Sequence, residues 1–379
     1  MNRVLAAMLA SVLVLAACSG DQVGAEPIEP EQPDNDQGTD PQPDTDPEAE
    51  LEPDVEEEPE DLRPRSPLTG EPLDEDVLER PLLIVKIENS PQARPQSGLE
   101  AADVVVEEVV EAGVTRFMAL FHSKIPADVG PTRSARPVDA QLIPAFGRAG
   151  FVYSGARPEV RELLAATPAI QIAEGGPGFH RIDDRRAPHN LYNRLPEALA
   201  AVRDRDAEPL DATGWLFAAE PPIGAVACPP AGGASGEDGA AVPCDDPGAG
   251  IQIDMSRGYR TGWEYDAAAG VYRRLQGAEP FLVTGPASIG AANVVVLATR
   301  HYLGAPNCYG NPCPETDATT DGARAIVLRD GERYEATWRK PDAASDIEIL
   351  TEDGRPFPLK PGPTWIHLPS AANMPAPIG

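Results

Sequence analysis

Residues 19–65 carry nine prolines, no aromatic side chain and a dense series of Asp and Glu. Such a segment has too little apolar surface to offset its own ordering entropy, so it cannot join a hydrophobic core and is expected to be disordered. The chain as a whole has a formal net charge of −30, but residues 21–80 alone hold 23 acidic and 3 basic side chains. Residues 81–379 are far closer to balance, with 38 acidic and 27 basic. Proline and like-charge repulsion both extend the acidic segment, and even as a flexible coil it would reach roughly 40 Å. It reads as a spacer, and folding is confined to the roughly three hundred residues that follow, enough for two ordinary domains. The negative balance argues against nonspecific nucleic-acid binding.

Ahead of the spacer, Arg3 is followed by an almost wholly apolar run from Val4 to Ala17. The run is too short to span a bilayer and has the form of an export signal. It ends Leu15-Ala16-Ala17-Cys18-Ser19-Gly20, which resembles the lipobox of bacterial lipoproteins. That resemblance implies a signal peptide over 1–17 and a lipidated Cys18. It also implies an extracytoplasmic protein anchored to the outer face of the cytoplasmic membrane by several acyl chains. The other four cysteines fall as Cys228/Cys244 and Cys308/Cys313, each pair within a Gly- and Pro-rich stretch. Outside the cytoplasm local disulfides are the natural reading. A four-cysteine zinc site is the alternative, but no C-x-x-C pair is present.

Folded structure is expected from about Ser66. Leu82–Ile87 and Asp103–Val110 are strand-like apolar runs, and Glu111-Ala112-Gly113 breaks the second before Thr115–Phe121 returns as a hairpin partner. Val138–Phe146, Pro158–Ala166 and Pro196–Val202 have helical spacing, with Gly150–Tyr153 a further strand. An α+β or α/β N-terminal domain over 66–218 follows. Residues 219–250 are mostly Ala, Gly, Pro and acidic residues and read as a linker or surface insertion. Over 251–379 the pattern turns to short strands: Tyr272–Leu275, Asn293–Thr299, Ala325–Arg329, Tyr334–Trp338 and Trp365–Leu368. Turn signals such as Arg329-Asp330-Gly331 separate them, so a smaller β-rich C-terminal domain is expected.

Between residues 131 and 195 nine arginines and no lysine face six acidic residues. Arginine without lysine suits bidentate recognition of phosphate or carboxylate, although high-GC coding also favours it. Pro131-Thr132-Arg133-Ser134-Ala135-Arg136 gathers two guanidiniums and two hydroxyls in one compact stretch. The cluster from His180 to Tyr192 holds two His and two Asp, but at no metal-ligand spacing, and a loop packed by its own hydrogen bonds is the expectation. Ser134 or Ser154 with His189 lacks a nucleophile elbow, and there is no P-loop or dinucleotide fingerprint.

These stretches also carry a family resemblance. Ile87-Glu88-Asn89, Ala93–Leu99, Ala102-Asp103, Glu111–Arg116, Gly130–Arg136 and Ala187–Tyr192 resemble the YerB-like lipoproteins, a family of unknown function with N- and C-terminal domains (DUF3048). Asn293–Val296, Trp338-Arg339-Lys340 and Pro361–Ile366 resemble its second domain; Ala112 departs from the pattern, where glycine is typical. The resemblance implies a two-domain envelope lipoprotein and brings no established reaction. The expectation is therefore a binding or assembly factor rather than an enzyme. Its site for an anionic ligand would draw on Arg94, Arg116, Arg133, Ser134, Arg136, Arg186, His189, Asn190 and Tyr192. Expected partners are the membrane and a cell-wall polymer, lipid-linked precursor or wall-synthesis protein, with no cofactor and no metal. The alternative is an envelope enzyme acting on phosphate esters or glycans. It rests on analogy alone with the LytR-CpsA-Psr phosphotransferases, which use acidic residues with Mg2+, and here Asp103 and Arg116 would take part.

Overall fold

Strands buried on both faces are rich in apolar residues, and any charge they carry needs a partner in the core. Leu83–Glu88 (β1), Val104–Val109 (β2) and Thr115–Phe121 (β3) are of this kind, buried at every position. The computed structural model describes residues 61–210, 212–222, 250–304 and 313–376. In it β2 and β3 form the expected antiparallel hairpin, and β3 pairs on its other side with β1. Parallel strands Gly150–Tyr153 (β4) and Ile170–Ala173 (β5) extend the sheet from β1.

Helices Pro137–Leu142 (α1) and Pro158–Ala165 (α2) each start with proline, whose missing N–H is no loss in a first turn. The expected helix over 138–146 divides at Ile143, where the chain tightens into a 3-10 turn. Pro144 cannot donate the next α-helical hydrogen bond. A short hairpin, Phe179–Arg181 (β6) with Leu191–Asn193 (β7), precedes helix Leu195–Arg203 (α3).

The later half is β-rich, as its alternation suggests. Gly250–Ser256 (β8), Tyr259–Asp266 (β9) and Val271–Gln276 (β10) form a small antiparallel sheet. Asn293–Leu297 (β11), Thr320–Arg329 (β12), Glu332–Lys340 (β13) and Glu348–Leu350 (β14) form a second antiparallel series. Asp330 and Gly331 both take positive φ (55° and 77°), which makes the β12–β13 connection a two-residue primed turn. The last strand, Thr364–Leu368 (β15), lies between β11 and β2 and is parallel to both. The two halves thus share one ten-stranded sheet, in the order β14-β13-β12-β11-β15-β2-β3-β1-β4-β5.

Two cores lie on opposite faces of this sheet. One takes Ile84, Val106, Met118, Val295 and Ile366 against Val138 and Leu142 of α1 and Val160 and Leu164 of α2. The other takes Val85, Val105, Phe117, Val296 and Trp365 against α3 and, further along, against Ile251, Ile253 and Trp263 of the small sheet. Among the described residues no helix is long and apolar enough to cross a membrane. At the β2–β3 turn Ala112 has φ 61°, the left-handed region that a glycine would adopt without strain. A Cβ there costs about 1 kcal/mol.

Strand β2 contains two adjacent carboxylates, and both are buried. Glu107 faces the small sheet and meets the Arg274 guanidinium at 3.0 Å, with both side chains fully buried. Arg274 in turn lies over the rings of Phe281 (4.1 Å), Trp365 (5.1 Å) and Phe117 (5.2 Å). His367 of β15 places Nδ1 3.0 Å from Glu107 and accepts the Trp263 indole N–H at Nε2. Indole only donates, so the imidazole proton sits on Nδ1 and the ring is neutral. Burial depresses the His367 pKa accordingly. Removing the Glu107 charge leaves Arg274 buried without a counter-ion. Glu107→Gln is expected to lower the unfolding free energy by about 3–5 kcal/mol, read from urea midpoints at neutral pH.

Candidate functional site

The parallel strands β1 and β4 pair only at Leu83–Val85 with Gly150–Val152, and beyond that they separate. The segment Pro131–Ala135 fills the gap. Glu88 donates its N–H to the Pro131 carbonyl (2.8 Å), and Arg133 donates to that of Lys86 (2.8 Å). On the far side Ser154 donates to the Arg133 carbonyl (3.0 Å) and Ala135 to that of Gly155 (2.9 Å). Arg133 and Ser134 are thereby fixed by backbone bonds at the carboxyl ends of parallel strands, the usual location of ligand crevices in open α/β sheets. Arg136 follows as the N-cap of α1, its N–H donating to Asp139 Oδ2 (2.7 Å).

Cross-strand register supplies the floor. Arg116 of β3 lies opposite Glu88 of β1 on one side and Glu108 of β2 on the other, so all three side chains share a face. Above them opens a cleft of about 510 Å3. Its charged lining is Glu88, Glu111, Arg116, Arg133, Arg136, Arg157 and His189, with Ser90 and Ser134 beside them. Four guanidiniums therefore face two carboxylates in a chain that is strongly acidic overall.

Glu88 is the hub of one wall. Its Oε1 accepts the Ser90 hydroxyl (2.7 Å), lies 3.0 Å from His189 Nδ1 and forms an ion pair with Arg133 Nε at 3.4 Å. Glu111 is the counter-ion of the other wall. It pairs closely with Arg136 and lies 3.8 Å from Arg116. Burial works against ionisation of Glu111, yet the two guanidiniums hold its pKa below the usual value. Arg116 also donates to the Ser134 carbonyl, and Arg136 to those of Ser134 and Ala135. Burial, then the neighbouring charges of Arg136 and Arg133, bring Arg116 down to about 9. Three crowded guanidiniums are the electrostatic condition that a bound anion relieves. Arg157 is tied to Glu159 (3.3 Å) and Glu315 (3.1 Å).

Directly beneath, Lys86 Nζ contacts Glu108 at 2.6 Å and Asp139 at 2.7 Å, all three fully buried. Burial, only partly offset by Lys86 and reinforced by the Asp139 charge, pushes the Glu108 carboxyl up to about 7.

Five of the residues singled out from sequence meet here: Arg116, Arg133, Ser134, Arg136 and His189. Four do not. Arg94 belongs to the opposite face, where it donates to Asn89 and Tyr259 and lies over the Tyr259 ring. Arg186 is exposed outside the cleft. Asn190 closes the β6–β7 loop, accepting from Arg181 (2.7 Å) and donating to the Ile182 carbonyl (2.9 Å). Tyr192 packs against Gly130, where a Cβ would come within 2.8 Å of its ring. Asp103 is also elsewhere, accepting the backbone N–H groups of His122 (2.6 Å) and Ser123 (2.9 Å). Glu88, Glu111 and Arg157 complete the cleft without having been picked as site residues. The signal for Glu88 and Glu111 was their place within the stretches that carry the family resemblance. His180 pairs with Asp128 (3.3 Å), apart from His189. Cys18, Cys228, Cys244 and Cys308 lie outside the described residues, while Cys313 is buried against the Arg157 guanidinium. A larger groove of about 830 Å3, with Trp215, Phe217 and Leu210 in its walls, gathers none of the candidate site residues.

Over residues 68–208 the chain matches the N-terminal domain of a family described as protein of unknown function DUF3048, and over 251–366 the C-terminal domain of that family. A relative from Bacillus subtilis (strain 168), "Putative lipoprotein YerB", is 26% identical over 318 residues, covering 80% of this chain and 86% of the relative. The crystal structure of the YerB protein from Bacillus subtilis aligns with a TM-score of 0.66 at 25% identity, covering 82% of this chain and 98% of that one.

A carboxyl that holds its proton more tightly in the folded state stabilises the fold below its unfolded pKa. That contribution is lost as pH rises through the folded value. For Glu108 the window runs from about 4.5 to about 7. Glu108→Gln is expected to remove a decline in stability across that window, seen as a smaller drop in urea midpoint than the native chain shows.

Proposed function

The chain belongs to the DUF3048 (YerB-like) family, and on that premise we propose a membrane-anchored, extracytoplasmic protein whose arginine-lined cleft binds a phosphate-bearing ligand of the cell envelope. The observation that carries this reading is the state of Arg133. Its Nε pairs with Glu88, but its two terminal nitrogens have no partner among the described residues. They sit in the wall of a cleft where Arg116 and Arg136 are already crowded. A guanidinium held by backbone bonds at its root and unoccupied at its tip is prepared for a charge-assisted, bidentate contact with an anion. Arg116, Arg133 and Arg136 approach from a strand, an extended segment and a helix start. That spread suits a tetrahedral phosphate, which accepts from several directions, better than a planar carboxylate.

Anchoring rests on the export signal and lipobox-like ending at Cys18, and the lipoprotein name of the Bacillus subtilis relative supports it. The acidic spacer would hold the folded unit away from anionic headgroups and at the distance of wall polymers. A lipid-linked precursor or a wall-polymer phosphate fits both the location and the cleft.

Calorimetric titration with inorganic phosphate at low salt tests the ligand class. Arg133→Ala is expected to weaken binding about tenfold or more, the usual worth of a hydrogen bond to a charged group. Equal affinity in the native chain and the variant would remove the cleft from consideration. Separately, Cys18→Ser is expected to shift the protein from the membrane to the soluble fraction; persistence in the membrane pellet refutes the anchor.

A further inference from the structure

We propose that the same cleft is catalytic, hydrolysing phosphomonoesters with His189 as general base and Glu88 as the residue that positions it. This rests on the phosphate-binding reading and adds a reaction to it. The pairing is geometric. His189 Nδ1 lies 3.0 Å from Glu88 Oε1, and the same oxygen accepts the Ser90 hydroxyl at 2.7 Å. Glu88 is 4% exposed, and its Oε1 lies 3.4 Å from Arg133 Nε, so the side chain is held in place between Arg133 and His189. A carboxylate facing Nδ1 puts the imidazole proton on that atom and leaves a lone pair on Nε2. Among the described residues Nε2 has no hydrogen-bond partner, and the side chain is 24% exposed in the cleft wall. An imidazole oriented by a buried carboxylate, with its second nitrogen open beside an anion site, is the general-base arrangement of acyl- and phosphoryl-transfer enzymes.

The step balances without an added oxidant or reductant. With the phosphate held by Arg133, Arg116 and Arg136, Nε2 removes a proton from water as the water oxygen bonds to phosphorus. The bond from phosphorus to the ester oxygen breaks, and its electron pair stays on that oxygen. The imidazolium then returns its proton there, so one ester and one water give one alcohol and one inorganic phosphate. The guanidiniums carry the charge of the non-bridging oxygens throughout. Glu88 touches no reacting atom; it fixes the tautomer and the aim of His189. Ser134 and Ser154, whose hydroxyls lie 3.3 Å apart, border the site without reaching His189 by any described contact.

The experiment uses the full lipidated chain in detergent, with p-nitrophenyl phosphate as the soluble ester and phosphatidic acid vesicles as the lipid ester. Release of p-nitrophenol or inorganic phosphate is measured, and phosphate affinity is titrated in parallel. His189→Ala and His189→Gln are expected to lower kcat about a hundredfold or more while phosphate affinity stays within about threefold. Free imidazole should restore part of the turnover of His189→Ala and none of that of Arg133→Ala. Glu88→Gln should lower kcat with little change in KM. Turnover of one ester only supports the proposal and identifies the source as lipid or soluble. No turnover of either ester by a chain that still binds phosphate overturns the proposal and leaves the binding reading standing. Turnover unchanged in both His189 variants also overturns it. Failure of the native chain to bind phosphate overturns the binding reading itself.

Discussion

Two adjacent carboxylates on a strand that is buried on both faces impose a constraint that the rest of the molecule has to meet. Successive side chains of β2 point to opposite sides, so Glu107 and Glu108 cannot share a counter-ion. Each must find a cation in its own core, because an unpaired buried charge is too costly to keep. Glu107 finds Arg274, from the later half of the chain, and Glu108 finds Lys86 on β1. The first pairing fixes the small sheet against the large one. The second fixes β2, β1 and, through Asp139, the start of α1.

The cleft depends on this second pairing. Lys86 and Glu88 are two residues apart on β1 and so lie on one face, as do Glu108 on β2 and Arg116 on β3. The charged row begins fully buried at Lys86 and ends at the cleft wall with Glu88 and Arg116. Asp139 joins the two levels, since one oxygen meets Lys86 and the other accepts the Arg136 N–H. Backbone bonds then set Pro131–Ala135 into the opening between β1 and β4, which places Arg133 and Ser134 over the row. The arginines of the site are thus carried by the framework itself and not by a pendant loop.

Much of the fold was legible in the chain. The apolar runs at Leu82–Ile87, Asp103–Val110 and Asn293–Thr299, the hairpin break at Glu111–Gly113 and the prolines opening α1 and α2 all act through local sterics and strand or helix periodicity. That Arg133, Ser134 and Arg136 of the compact Pro131–Arg136 stretch would lie together was legible for the same reason, since they are neighbours in sequence. Arg94, Arg186, Asn190 and Tyr192 belonged to the same motifs but not to the cleft. A motif records which residues lie near one another along the chain, and the pleat and the loop path decide which way each side chain points. The place of Glu88 was hidden by the opposite effect: its contact with His189 joins residues about a hundred positions apart.

By itself the sequence determined an acidic, proline-rich lead segment that cannot form a core, an apolar run ending at Cys18, and a folded body of mixed α/β character turning β-rich. These follow from composition and from periods of two or a few residues, which the local chain carries in full. Only the tertiary structure decided that the last strand enters the sheet between β11 and β2, so that both halves share one sheet. Only it decided that the charged groups of β1, β2 and β3 fall on common faces, because strand register and long-range pairing set those contacts and no local pattern encodes them.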